Sequence, residues 1–122
     1  MKVFVYGTLK KGGRFNSVFD EESFIGNATL NKHQMFAPPG RFFPHVIESD
    51  DEDKIIEGEV YEINQKTLQQ LDWIEGYPDL YDRKKVEVSL DDKVVEVYMY
   101  YVTEKQQHIH DNKNEITNFV ND

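Results

Sequence analysis

The chain has 122 residues, which fits a single domain over residues 1–122, since domains typically hold about 100–200 residues. Its 14 Lys and Arg against 23 Asp and Glu give a net charge of −9, and this acid excess disfavours nucleic acid and anionic membrane surfaces as partners. The absence of cysteine excludes disulfides, thiolate metal sites and a cysteine nucleophile, whereas the 39% of hydrophobic residues is enough for a folded core.

The first third of the chain is predicted to contain two strands and a short helix. Residues 2–6 alternate and are rich in Val, Phe and Tyr, which predicts a strand that ends at Gly7. Residues 10–16, with two glycines, predict a loop that leads into a short helix over residues 16–22. Residues 24–36 mix β-branched and aromatic side chains before a proline pair, which is typical of a long bent strand.

Two further strands are predicted in the middle of the chain. Residues 45–48 form a short apolar run, and the acidic residues 49–53 after it predict a solvated turn. Residues 54–63 alternate well, which predicts a strand, and Gly58 within it indicates a close approach of another backbone.

A helix over Gln65–Glu75 is the clearest local prediction. Apolar residues from Leu68 to Ile74 fall at helical spacing. Asn64 is a suitable N-cap, and Gly76 suits a C-cap because glycine tolerates positive φ.

The last part of the chain predicts an antiparallel hairpin. Residues 84–90 and 94–103 alternate strongly and are separated by a polar turn at residues 91–93. The polar tail, residues 104–122, is expected to dock as a short terminal helix. Many strands, one clear helix and no βα alternation predict an α+β fold with a curved or barrel-like sheet.

Glu75 is the first candidate for chemistry because it lies on the apolar stripe of the predicted helix. Burial and the negative end of the helix dipole both raise the pKa of a carboxyl group there, which suits a general base that later acts as an acid. The alternative is that Glu75 points outward from a frayed helix end. Asp72 lies off the stripe and is expected in solvent or paired with Arg83.

The turn Tyr6-Gly7-Thr8-Leu9 is the second candidate. A strand that ends at a glycine brings successive backbone N–H groups together, and such a group can bind a carboxylate or an oxyanion. The alternative is an ordinary turn. The residues after it, including Arg14, lack the Lys and Ser or Thr of a phosphate-binding loop, so nucleotide binding is rejected.

The turn Gly76-Tyr77-Pro78, with Tyr81 and Arg83 after it, is the third candidate. It places aromatic hydroxyls and a guanidinium beside the helix end, where they can shape a polar pocket. The alternative is that the tyrosines serve only for packing.

No metal site is predicted. His108 and His110 share one face of a strand, but the same segment supplies no carboxylate to complete a set of ligands.

No membrane partner is expected either. No run reaches the roughly 18 consecutive apolar residues that a membrane-spanning helix needs, and the N-terminal residues enter a strand-like run instead of a secretion signal. These features predict a cytoplasmic protein.

Three motifs together resemble the γ-glutamylcyclotransferase-like superfamily in their order and spacing, nearest the γ-glutamylamine cyclotransferase branch. The resemblance extends over residues 2–101. The motifs are Tyr6-Gly7-Thr8-Leu9, Gly58-Glu59-Val60-Tyr61 and Leu71-Asp72-Trp73-Ile74-Glu75-Gly76, the last followed by Pro78, Tyr81 and Arg83.

This resemblance implies a small mixed β-barrel with flanking short helices. It also implies an enzyme that needs no cofactor, and that closes a γ-glutamyl amide or dipeptide to 5-oxoproline with release of an amine. Glu75 matches the family's catalytic glutamate, and the turn at residues 6–9 matches the segment whose amides bind the glutamyl group. Tyr81 then lines the pocket, and Arg83 lies at the substrate or orients the region of Asp72 and Glu75.

The resemblance leaves two other functions open. One is removal of a γ-glutamyl protecting group from a biosynthetic intermediate, which uses the same chemistry on another amine. The other is a non-catalytic module that binds a small metabolite. The leaving amine and the oligomeric state also stay open, a monomer being compatible with the sequence.

Overall fold

The computed structural model describes residues 1–39, 43–102 and 112–121. Within them, short 3-10 turns occur at Asn16–Val18, Glu21–Ser23 and Asn112–Asn114. The regular elements are β1 (Lys2–Val5), β2 (Phe24–Asn31), β3 (His33–Phe36), β4 (His45–Glu48), β5 (Ile55–Glu62), α1 (Gln65–Glu75), β6 (Tyr81–Leu90), β7 (Lys93–Val102) and β8 (Glu115–Ile116).

Five strands form a closed barrel in the order β1-β5-β2-β6-β7. The barrel closes through parallel pairing of β1 with β7, whereas the other neighbours are antiparallel. A second sheet has the order β4-β3-β8. The predicted α+β class and the small mixed barrel are therefore confirmed.

Successive side chains of strand β1 point to opposite faces, and both faces are buried. Phe4 packs in a cluster that includes residues from all five barrel strands, so this cluster fills the barrel. Val3 and Val5 pack instead against Leu68 and Leu71 of α1. The helix is therefore held on the outside of the barrel, next to the end of β1.

Among the described residues, no helix is long and apolar enough to cross a membrane.

The helix forms over the predicted residues, and the predicted hairpin is present, with β6 beginning at Tyr81 instead of residue 84 and β7 at Lys93 instead of residue 94. The Asn64 side chain accepts a hydrogen bond of 2.8 Å from the Thr67 N–H, and Gly76 ends α1 with a φ of 67°. Asp91 and Asp92 turn the hairpin with φ values of 49° and 65°. Positive φ at both central residues is what a tight hairpin turn requires.

Gly58 lies at the close approach that the sequence predicts. A Cβ there would come within 2.4 Å of the Val5 carbonyl oxygen on the neighbouring strand.

Two elements in the first third of the chain differ from the prediction. Residues 24–36 form two strands in two different sheets, because Lys32 has a φ of 60° and interrupts the extended backbone between β2 and β3. The helix predicted over residues 16–22 is instead two separate 3-10 turns.

The terminal helix predicted over residues 104–122 is not present in the described part of the tail. After a 3-10 turn, β8 pairs antiparallel with β3, and this pairing satisfies the backbone through the sheet instead of within a helix. The end of the predicted strand at residue 103, the first part of the tail, and His108 and His110 lie outside the described residues.

Candidate active site

A cavity of about 300 Å³ opens at the end of β1, between the turn at residues 6–9 and the C-terminal end of α1. This volume is at the lower end of the range for small-molecule pockets. The residues that line the cavity are Phe4, Val5, Tyr6, Gly7, Thr8, Leu9, Arg14, Phe15, Phe43, Pro44, Ile74, Glu75, Leu80, Tyr81 and Tyr100.

Glu75 brings a carboxyl group into this largely apolar cavity. It is the last residue of α1 and is half-buried. Burial raises the pKa of Glu75 to about 7 because protein atoms replace the water that would stabilise the charge. Within the described residues, its carboxyl group has no hydrogen-bond or ion-pair partner. The group can therefore accept or donate a proton near neutral pH.

The turn at residues 6–9, called the 6–9 loop below, presents backbone donors on the cavity wall. The N–H groups of Thr8 and Leu9 have no hydrogen-bond acceptor among the described residues. Two carbonyl groups of this loop accept hydrogen bonds, since Gly7 O accepts from Lys10 N at 3.0 Å and Thr8 O accepts from Phe15 N at 3.1 Å. Two adjacent donors without acceptors form a site suited to an oxyanion or carboxylate.

Two glycines allow the 6–9 loop to pack tightly. A Cβ at Gly7 would lie 2.7 Å from Cδ of Pro44, and a Cβ at Gly13 would lie 2.0 Å from the Thr8 carbonyl oxygen. The φ of Gly7 is not positive. Glycine is therefore required at this position because of the limited space beside Pro44, and not because of the turn conformation that the sequence suggested.

Tyr6 is held by a hydrogen bond to a strand of the barrel. Tyr6 is buried, and its hydroxyl donates to the Tyr100 carbonyl oxygen at 2.7 Å. Burial, and then the proximity of Tyr81 and Glu75, raise the pKa of Tyr6 well above its usual value. Tyr6 is therefore neutral near pH 7, and its proton is engaged by the barrel.

Of the third candidate, Tyr81 lines the cavity, whereas Arg83 and the turn Gly76-Tyr77-Pro78 do not. The Arg83 guanidinium pairs with Asp72 and lies 4.3 Å from the ring centre of Tyr77. The other Asp72 oxygen accepts a hydrogen bond of 2.5 Å from the Tyr100 hydroxyl. Asp72 lies about one turn before Glu75, so Arg83 contacts the same end of α1 that carries Glu75.

The structure adds wall residues that the sequence did not identify as part of a site. Phe15, Phe43, Pro44 and Leu80 supply apolar surface, and Arg14 adds a cation. Arg14 could have been identified from the sequence, because it is a basic residue in the glycine-containing loop after β1. Phe43 and Pro44 carried no such signal, because their place depends on the second sheet.

No group of three or more His, Asp or Glu side chains that could hold a metal ion occurs in the part of the chain that the structure describes. The cavity contains the Glu75 carboxyl group and, on its wall, the backbone donors of Thr8 and Leu9.

Comparison with known proteins identifies the family. The family model described as gamma-glutamyl cyclotransferase, AIG2-like, matches residues 3–118. The chain belongs to this family. A protein of Methanocaldococcus jannaschii, MJ1514, which bears a provisional γ-glutamylcyclotransferase name, is 41% identical over 105 residues, covering 84% of each chain.

Relatives from animals point to the γ-glutamylamine branch. Gamma-glutamylaminecyclotransferase C of Danio rerio is 33% identical and covers 72% of this chain. Human gamma-glutamylaminecyclotransferase is 31% identical over the same share of this chain. The matches extend over 62% and 61% of those two relatives, so the chain spans less than two thirds of their length.

Solved structures share the fold. An AIG2-like protein from Mus musculus superposes with a TM-score of 0.73 at 21% identity, covering 93% of this chain and 86% of that one. YkqA from Bacillus subtilis gives a TM-score of 0.72 at 25% identity, covering 94% of this chain but 37% of that one. With the family shown by sequence and the fold by structure, the chain is an enzyme of the γ-glutamylcyclotransferase type.

Proposed function

We propose that this enzyme closes a γ-glutamyl amide on itself, forms 5-oxoproline and releases an amine, with Glu75 as the general base and acid. The observation that carries the proposal is the placement of a carboxyl group with a pKa near 7 in the same cavity as two backbone N–H donors without acceptors. The relatives named as γ-glutamylaminecyclotransferases support the same class of substrate.

The reaction begins with proton transfer from the substrate to Glu75. The ionised carboxylate accepts a proton from the α-ammonium group of the glutamyl moiety and leaves a free amine. This amine attacks the γ-carbonyl carbon of the same molecule. A base with a pKa close to the working pH is efficient because a useful fraction is ionised and the proton is still held firmly enough to be returned.

Ring closure places negative charge on the former carbonyl oxygen. The Thr8 and Leu9 N–H groups are the proposed donors to this oxyanion. Fixed donors of this kind stabilise developing charge without reorganisation at the moment of reaction.

Collapse of the tetrahedral intermediate breaks the bond to the departing nitrogen as Glu75 returns the proton. Overall, the α-nitrogen loses two protons on becoming the ring N–H, and the departing nitrogen gains two on leaving as an ammonium ion. Glu75 therefore ends in its starting state, and no redox partner or cofactor takes part.

The apolar walls of the cavity have a separate task in this proposal. Amine and carbonyl are already tethered in the substrate, so the protein needs to select the folded conformer in which they approach each other. A cavity of about 300 Å³ lined by rings such as Tyr81, Phe15 and Phe43 favours such a compact conformer.

The deciding experiment is a panel of γ-glutamyl amines and γ-glutamyl dipeptides assayed for release of 5-oxoproline. The parent enzyme should release it from at least one member, and Glu75→Gln should reduce kcat by at least about 100-fold, a loss within the range attributed to general acid–base catalysis. The matched control is Glu87→Gln, because Glu87 is exposed on β6 and outside the cavity. A Glu75→Gln protein as active as the control would refute the proposed role of Glu75.

A further inference from the structure

The 6–9 loop is bound on one side by the C-terminal segment, residues 112–121. Asn121 Nδ2 donates to the Gly7 carbonyl oxygen at 3.0 Å. Asn121 is not among the residues that line the cavity. It also lies beyond residue 118, where the match to the family model ends. The contact is therefore a feature of this chain outside the family match.

The Gly7 carbonyl belongs to the same peptide group as the Thr8 N–H. Because the peptide unit is planar and trans, these two groups point in opposite directions. A donor that fixes the direction of the Gly7 carbonyl therefore also fixes the direction of the Thr8 N–H. The same donor polarises the peptide group and makes its N–H a stronger hydrogen-bond donor.

The adjacent peptide group is held in the same way. The Thr8 carbonyl accepts from Phe15 N at 3.1 Å, and this bond sets the direction of the Leu9 N–H. Phe15 makes its contact from within the loop region. The Gly7 carbonyl accepts from a local donor, Lys10 N, and also from a side chain 114 residues away in the sequence, Asn121.

Lys10 connects the loop to the same segment a second time. Its side chain is buried, and Nζ donates to Asn118 Oδ1 and to the Phe119 carbonyl oxygen, both at 2.6 Å. Thr117 O accepts from Glu57 N on β5 at 2.7 Å. The segment that carries Asn121 is therefore fixed to both the loop and the barrel.

We infer that Asn121 is a positioning residue that aims and polarises the Thr8 N–H toward the reacting carbonyl. The inference rests on the proposed function, since it assigns the Thr8 N–H to the oxyanion of ring closure. An interaction with the oxyanion strengthens as the transition state forms, so its loss lowers kcat more than it raises KM.

The test compares Asn121→Asp with Asn121→Ala. Aspartate has the size of asparagine but places an acceptor opposite the Gly7 carbonyl, whereas alanine removes the side chain. Removal of an oxyanion donor costs about 100-fold to 1,000-fold in kcat, and a donor that is present but misaimed should cost less, about tenfold. The control is Val120→Ala, since Val120 is 68% exposed beside Asn121.

The inference predicts that both Asn121 variants lose about tenfold in kcat while KM changes by less than about twofold. Their thermal midpoints should stay close to that of Val120→Ala. Equal kcat in the Asn121 variants and the control would overturn the inference. The inference would also be overturned if the Asn121 variants lost activity only in proportion to the amount of protein that unfolds.

An amide NMR spectrum separates this inference from the proposed function. In the Asn121 variants the Thr8 N–H resonance should shift while resonances from α1 and the β6–β7 hairpin stay in place. If the parent enzyme releases no 5-oxoproline from any substrate, the proposed function fails and the Thr8 resonance still tests the contact. An unchanged Thr8 resonance would show that Asn121 does not position the loop.

Discussion

Tyr100 and Arg83 lie directly opposite each other on strands β7 and β6, and both bind the carboxylate of Asp72. Asp72 precedes Glu75 by about one turn of α1, so this shared contact fixes the end of the helix to the barrel. The side chains of Arg83 and Asp72 are 23% and 24% exposed, which places the pair between a surface ion pair and a buried one.

Replacing Arg83 with methionine should therefore weaken both stability and catalysis. Loss of the pair is expected to lower the free energy of unfolding by about 1–2 kcal/mol, and to lower kcat severalfold because the end of α1 is less firmly placed. Urea unfolding and steady-state kinetics measure the two effects. Lys85→Met is the control, because the Lys85–Glu96 pair is 57% and 65% exposed. Parent-like kinetics in Arg83→Met would contradict the orienting role.

The raised pKa of Glu75 predicts the pH dependence of turnover. Below a pH of about 7 the carboxyl group is protonated and unable to accept the α-ammonium proton, so kcat/KM should fall tenfold per pH unit on the acid side. The profile should be measured with two substrates that differ in their leaving amine. An acid limb near 7 with both would support Glu75, and a limb near 4.5 would not.

The same carboxyl group predicts how stability changes with pH. Its pKa rises from 4.5 in the unfolded chain to about 7 in the fold, so the folded state binds the proton more tightly. The free energy of unfolding should therefore decrease as pH rises from about 4.5 to 7, by on the order of 3 kcal/mol at most, and then level off.

Glu75→Gln should remove this dependence. The variant should match the parent near pH 4 and exceed it in stability at pH 8, because a neutral amide replaces a desolvated charge. Chemical denaturation at several pH values provides the comparison, with the exposed Glu87→Gln as reference. A constant difference between Glu75→Gln and the parent at every pH would be inconsistent with a desolvated Glu75.

Gly7→Val should damage the enzyme by steric overlap. Even the Cβ of a substituted residue would lie 2.7 Å from Cδ of Pro44, so the cavity wall must shift. Gly7→Ala is expected to lower kcat/KM by about tenfold, as misplacements of about 1 Å can cost up to 100-fold, and Gly7→Val should lower it further.

A double variant tests whether overlap with Pro44 causes the loss of activity in the Gly7 variants. Pro44→Ala removes the atoms that the new Cβ would meet, so Gly7→Ala combined with Pro44→Ala should recover activity relative to Gly7→Ala alone. Gly26→Ala is the control, since its Cβ would meet the flexible end of Leu90 outside the cavity. Absence of any recovery would point to the turn conformation, the explanation suggested by the sequence, instead of the space beside Pro44.

The sequence alone determined helix α1, the hairpin turn and the place of Glu75 at the end of the helix. Helix α1 was predictable from the spacing of its apolar residues and from its caps at Asn64 and Gly76, because each signal acts within a few residues. The hairpin turn at Asp91 and Asp92 was predictable for the same reason. The resemblance also placed Glu75 and the 6–9 loop in one site, and the structure brings them to one cavity.

Only the tertiary structure decided the contacts that complete the cavity. The constraint on Gly7 comes from Pro44, and its carbonyl accepts a second hydrogen bond, in addition to that from Lys10 N, from the distant Asn121. The split of residues 24–36 between two sheets and the pairing of β8 with β3 depend on strands that are distant in the sequence. Such contacts leave no periodic pattern in a single sequence, because they depend on how separate elements pack and not on the local preferences of each one.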